Sequence, residues 1–255
     1  MNPAFQRLLL SGYALAQRSG ILSTRLGRGL FSFAYDVYKA RWEAKRIDQL
    51  RTLVPPGSLV IDVGANVGFF TRRFATWVGP QGRVLAIEPE RVNFDRLCAS
   101  TARFGTVETL QGVAADRDGT LNLVINPIHP GDHHIGAEGV PVTAFTVDRL
   151  VVARNSRPLS LIKIDVQGAE LAVIEGAVAT LERLRPALVV EVDPQSLNRM
   201  GLTAADLFGR LDQLGYRAHA LGDAGWSDAL APKAALAVLE NCDSAYLDFV
   251  FLPSA

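Results

Sequence analysis

Cysteine is scarce: Cys98 and Cys242 are the two that the 255 residues contain. Two cannot build a disulfide framework, so stability must come from a buried core, and the expected compartment is the cytoplasm. Long apolar runs are missing too, and none reaches the roughly 20 residues of a membrane-spanning helix. Leu8-Leu9-Leu10 and Ala14-Leu15-Ala16 faintly imitate a signal peptide, but Ser11, Gly12 and Tyr13 interrupt the stretch. Neither charge is in excess, with Lys plus Arg at 26 and Asp plus Glu at 26, so no nucleic-acid partner is expected. The G-x-x-x-x-G-K-[ST] phosphate loop is absent, which removes support for nucleoside triphosphate chemistry. No G-x-S-x-G elbow points to a hydrolase, and no CxxC-type or helical ligand spacing points to a metal.

What is present suits one large α/β core, because 49% of the residues are hydrophobic. Charge is unevenly placed. Residues 1–51 hold nine basic and three acidic side chains, a balance of +6, which leaves −6 for the remainder. Residues 1–54 are expected to be a helical cap, with Ala34, Val37, Tyr38, Trp42, Ile47, Leu50 and Leu53 at near-helical spacing. The competing reading is a basic amphipathic helix in peripheral contact with an anionic membrane through residues 1–50. Pro55-Pro56-Gly57 ends this segment, and residues 55–255 form the main domain.

That domain turns on Leu59-Val60-Ile61-Asp62-Val63-Gly64-Ala65-Asn66-Val67-Gly68. An apolar strand ends in an acid, a glycine turn follows, and a helix starts. In open α/β sheets ligands bind at the carboxyl ends of the strands, where this turn lies. Asp62 stands where a dinucleotide fingerprint has glycine, and a carboxylate there would repel a pyrophosphate. A second apolar run ends at Glu88, twenty residues past Gly68, placed to take ribose hydroxyls. A nucleoside with a positive charge and no phosphate at the turn fits both acids, and S-adenosyl-L-methionine has that chemistry.

Around this core, strands are expected at about 58–63, 83–88, 107–111, 159–165, 187–192, 216–221 and 246–252, and helices at about 67–78, 90–104, 169–184 and 203–214. Cys98 falls in the second helix and is expected to be buried. Between the third and fourth strands, Leu121, Leu123 and Ile125 alternate, residues 126–139 form a loop rich in Gly, Pro and His, and residues 140–147 alternate again. This reads as a β insertion bordering the substrate.

Asp62-Val63-Gly64-Ala65-Asn66-Val67-Gly68, Ala86-Ile87-Glu88-Pro89 and Leu161-Ile162-Lys163-Ile164-Asp165-Val166-Gln167-Gly168-Ala169-Glu170 resemble the FkbM family of S-adenosylmethionine-dependent methyltransferases. Gln167 departs from the family, which usually has Glu there. The resemblance implies a class I methyltransferase fold, Rossmann-like and doubly wound. Its sheet has seven strands, mainly parallel, in the order 3-2-1-4-5-7-6 with strand seven antiparallel. It implies methyl transfer to a hydroxyl of a small-molecule, saccharide, glycolipid or polyketide-type acceptor. Transfer to nitrogen, or a non-catalytic cofactor-binding module, remains open.

The expected cofactor-binding residues are Asp62, Gly64, Ala65, Asn66, Gly68, Glu88, Pro89, Ala115, Asp116 and Asp165. Asp116 borders the adenine by resemblance; otherwise it is an ordinary turn acid. Glu88 could also cap the helix after Pro89, and both roles can hold together. Lys163 shares a strand face with Asp165, and a buried lysine needs a partner. Asp165 is read as functional and Glu170 as structural. Glu191 could bind acceptor hydroxyls, act as a base or pair with Lys163. The inserted loop carries His133 and His134, and histidine is matched to proton transfer near neutral pH. The expected catalytic residues are His134, His133, Asp165 and Glu191.

Overall fold

The structure is a computed structural model that describes residues 47–126, 133–154 and 157–254. The chain divides into two units, Met1–Gln49 and Leu50–Ala255, against the expected boundary at 54/55. The cap with its apolar stripe from Ala34 to Trp42 lies outside the described residues, as do residues 127–132 of the inserted loop. The second unit carries the sheet and the site.

The strands β1 (Leu59–Val63), β2 (Arg83–Glu88) and β3 (Val107–Gln111) alternate with the helices α1 (Phe69–Val78) and α2 (Arg91–Thr101). After the insertion come β8 (Leu159–Ile164), α4 (Glu170–Glu175), α5 (Val178–Leu184), β9 (Ala187–Val192), α6 (Pro194–Arg199) and α7 (Ala204–Gln213). The hairpin β10 (Tyr216–Gly222) and β11 (Gly225–Trp226), helix α8 (Pro232–Glu240) and β12 (Leu247–Pro253) complete the unit.

The main sheet runs β11-β10-β12-β9-β8-β1-β2-β3. It has eight strands rather than the expected seven, because the two-residue β11 folds back on β10. The seven longer strands keep the expected order, with β12 antiparallel to both neighbours. β1 is buried along its whole length, as a central parallel strand covered on both faces must be. Alternation divides its side chains between two layers. Ile61 and Val63 pack with Leu85, Ile87, Ile162 and Leu188 on one face. Val60 packs with Val84, Leu161, Phe74 and Val78 on the other.

The insertion forms a second sheet, β4-β7-β5-β6, from β4 (Val113–Ala114), β5 (Gly119–Val124), β6 (His134–Ile135) and β7 (Val140–Phe145). His134 therefore lies on an edge strand rather than in a loop. Helix α3 (Val147–Val152) comes after this sheet, with the Thr146 hydroxyl accepting from the Arg149 amide.

Two glycines allow close approaches that set the loops. Gly64 has φ +77°, and a Cβ there would lie 1.9 Å from the Asp165 carbonyl oxygen. Gly176 has no such φ, but a Cβ there would lie 1.9 Å from the Ala115 carbonyl. The expected helix 169–184 breaks at Gly176 into α4 and α5, and Asp148 accepts from the Ala179 and Thr180 amides to start the second piece. That cap comes from 31 residues away, so no local pattern announces it. Cys98 sits in α2 as expected but is only half-buried.

Candidate active site

The carboxyl ends of β1, β2, β8 and β9 meet where the turn Gly64–Gly68 leaves the sheet. Glu88 closes that turn: its Oε2 accepts from the Asn66 amide at 2.8 Å and its Oε1 from the Glu90 amide at 3.0 Å. Burial pushes its carboxyl up to about 7, against the pull of these two amides. Asn66 takes a left-handed φ of 50°, which Asn tolerates better than most residues. The cap of α2 is Glu90, which accepts from the Val92 and Asn93 amides. Glu88 thus ties the glycine turn to the start of α2.

Asp62, expected to hold the cofactor directly or through water, is fully buried. Its Oδ2 accepts from the Thr71 hydroxyl of α1 at 2.6 Å. Its Oδ1, without a hydrogen-bond partner, stands 4.0 Å from the Lys163 ammonium. Burial raises the Asp62 pKa, while the Lys163 charge and the Thr71 hydroxyl pull it back. Lys163 is the register partner of Asp62 on β8. Its Nζ donates to Asp165 Oδ2 at 2.7 Å and lies 4.3 Å from the centre of the Phe70 ring. Burial works to lower the Lys163 pKa, but the charges of Asp165, Asp62 and Glu191 hold it above the ordinary lysine value. The structure thus brings Asp62, Lys163 and Asp165 together, with Glu191 joining through its charge.

The turn after β8 is tied to the turn after β9. Ser196 Oγ lies 2.7 Å from Asp193 Oδ2 and 3.0 Å from Gln167 Oε1. Asp193 also accepts from the Gln195 amide and caps α6. Glu170 is fully buried, its Oε1 accepting from the Gly168 amide at 3.1 Å while Oε2 has no partner. Burial, reinforced by the charges of Asp165 and Asp193, pushes its carboxyl up to about 8, although the backbone amides oppose the shift. Thr71, Phe70 and the orphaned Glu170 oxygen were missed by sequence reasoning. Thr71 is polar between Phe70 and the Phe74 core position, which is the signal that could have found it.

The remaining expected residues are less gathered. Ala65 and Ala115 are buried, and Gly64, Asn66 and Pro89 are half-buried around the turn. Asp116 is exposed and pairs with its neighbour Arg117 at 3.2 Å. His134 belongs to the second sheet and His133 precedes it, whereas Glu88 and Glu191 lie on strands of the first. His133 Nδ1 accepts from the Asn126 amide at 3.1 Å, which assigns the proton of its neutral ring to Nε2. His134 Nδ1 is buried without a partner. Among the described residues no group of metal-ligating side chains converges.

The sheet order and the acids at the strand ends define a Rossmann-like α/β domain. The methyltransferase FkbM domain matches residues 62–218, and the chain belongs to that family. It is 29% identical over 159 residues to the hexuronic acid methyltransferase AglP of Haloferax volcanii, covering 60% of this chain and 64% of that protein. It is 26% identical over 156 residues to Methyltransferase 1 of Beauveria bassiana, covering 48% and 59%. The chain thus spans less than two thirds of these relatives' length. A solved FkbM methyltransferase from Methylobacillus flagellatus KT aligns with a TM-score of 0.47 at 16% identity, covering 77% of this chain and 44% of that one.

Proposed function

We propose that this chain transfers a methyl group from S-adenosyl-L-methionine to a hydroxyl of a small-molecule or saccharide acceptor. One observation carries the reading: Glu88 grips the glycine turn through the Asn66 amide at the ends of β1 and β2. Its remaining lone pairs suit ribose hydroxyls, and the turn offers a cationic nucleoside no competing phosphate site. Asp62, Gly64, Ala65, Asn66, Gly68, Glu88 and Pro89 would hold the cofactor, Asp62 directly or through water, with Ala115 and Asp116 beside the base and Asp165 at the reactive end. Bound there, the cofactor supplies a methyl group already activated by a sulfonium.

The protein's own work is then to orient the acceptor and take its proton. A hydroxyl needs a proton acceptor within hydrogen-bond reach. His134 is the better base, since its Nδ1 is unengaged while His133 Nδ1 already accepts from a backbone amide. Asp165 and Glu191 orient the acceptor. The hexuronic acid in the name of the archaeal relative supports a sugar acceptor. A cytoplasmic site of action and a main domain capped by residues 1–54 complete the proposal.

Labelled methyl transfer to a panel of sugars, glycolipids and polyketides is the test. Wild type should label a hydroxyl, and His134→Ala should lose about a hundred- to ten-thousand-fold in turnover with cofactor affinity retained. Label on nitrogen, or cofactor binding without transfer to any acceptor, would replace this reading by the N-methyl or non-catalytic one.

A further inference from the structure

Lys163 has no task in that scheme, although it is the most constrained ammonium of the site. It interrupts an otherwise apolar strand, with Leu161, Ile162 and Ile164 around it, and only 4% of its side chain is exposed. Replacing a whole buried ionic group by apolar side chains of similar volume is often neutral or stabilising, so stability alone explains the retention of Lys163 with its two carboxylates poorly. Its contacts are unequal. Asp165 accepts its hydrogen bond at 2.7 Å; Asp62 stands behind at 4.0 Å. Phe70 covers the ammonium at 4.3 Å, and a cation over a desolvated ring face is held there. Of the three ionic groups only Asp165 reaches solvent, with 24% of its side chain exposed against 0% for Asp62.

We propose that Lys163 is a positioning residue: it fixes the rotamer of Asp165 and keeps it an anion at the floor of the crevice, while Asp62 and Phe70 hold the ammonium from behind. The role of that crevice rests on the function proposed above, but the electrostatic coupling does not. The chain of contacts runs Thr71 on α1, Asp62 on β1, Lys163 on β8 and Asp165 just beyond it. It joins the helix that opens at the cofactor turn to the acid beside the acceptor. Asp62, expected as a cofactor ligand, acts in this scheme through Lys163 from beneath the turn. The charged groups facing Lys163 are Asp62 from β1, Asp165 from the end of its own strand and Glu191 from β9, and α1 contributes the Phe70 face and the Thr71 hydroxyl.

The test uses the full chain without ligand, so it is independent of the acceptor. Carboxyl titration by NMR follows Asp165, assigned with Asp165→Asn, in wild type, Lys163→Met and Lys163→Arg. Loss of a cation in hydrogen-bond contact should move the Asp165 midpoint up by about one to three pH units in Lys163→Met. Lys163→Arg should recover most of the shift. Since Lys163→Met strands Asp62 in the core, the double variant Asp62→Asn with Lys163→Met provides a folded background, and the Asp165 midpoint should remain raised in it. An unchanged midpoint in either methionine background overturns the proposal and leaves Lys163 a packing residue. A second measurement reads S-adenosylmethionine affinity and turnover against pH. The acid limb should move up with the NMR midpoint. Absence of cofactor binding by wild type would instead overturn the proposed function and leave the coupling standing.

Discussion

Asp62, on β1 beneath the glycine turn, and Glu170, at the start of α4, are both fully buried and both carry an oxygen without a hydrogen-bond partner. Their company differs. Asp62 has the Thr71 hydroxyl and the Lys163 ammonium. Glu170 has the Gly168 amide, and the charges that reach it are those of Asp165 and Asp193. At equal burial, one acid has a cation and a hydroxyl opposing its upward shift, and the other has two further acids reinforcing it. Glu88 stands between them, with two backbone amides and a carboxyl pushed up to about 7. Burial raises all three acids, and their partners set how strongly that rise is opposed.

Breaking the contacts of Asp62 should have the largest effect. Asp62→Ala removes the acceptor of the Thr71 hydroxyl and one of the two carboxylates beside Lys163, which keeps Asp165. The loss should be up to about 3 kcal/mol, the low end for breaking a buried pair; denaturant unfolding reads it. Glu88→Ala should weaken S-adenosylmethionine binding by roughly ten- to a hundred-fold in calorimetry, the loss expected for a charged hydrogen bond of about 1.5–3 kcal/mol. Unchanged affinity would remove Glu88 from the cofactor site.

Glu170→Gln should change least at acid pH. It keeps an oxygen for the Gly168 amide and loses only the ability to ionise. The folded pKa of about 8 lies above the ordinary glutamate value of 4.5, so the native state binds the extra proton between these values. The stability Glu170 contributes is full below the lower value and lost as pH rises through the upper one. Wild-type melting temperature should therefore fall from pH 5 to pH 9 by an increment that Glu170→Gln removes. Parallel pH slopes in the two proteins would show that Glu170 ionises freely.

The strands that build the site were legible because each is an apolar run ending in an acid or a glycine turn: Leu59–Val63, Arg83–Glu88 and Ala187–Val192 lie within a residue of expectation. Lys163 and Asp165 were legible as a pair because alternation puts them on one face. The helices α3, α6 and α8 were not foreseen. The first two have six residues each, too few for a periodic pattern, and depend on caps such as Asp193. Pro232 at the start of α8 was the overlooked signal there. The state of Glu170 was illegible for another reason. Its neighbours Asp165 and Asp193 come from two different strand ends, and only the fold brings their charges to it.

The second sheet has a consequence for how this family member could change its acceptor. His134 is fixed to the chain through a strand of two residues at a sheet edge, paired only as Val124 with His134 and Leu123 with Ile135. The strands that carry the glycine turn share no ladder with it. On the function proposed above, mutations in β6 would redraw the acceptor wall while the register of β1, β2 and β8 stays as it is. On that reading, donor binding and acceptor choice would be assigned to separate sheets of the same unit.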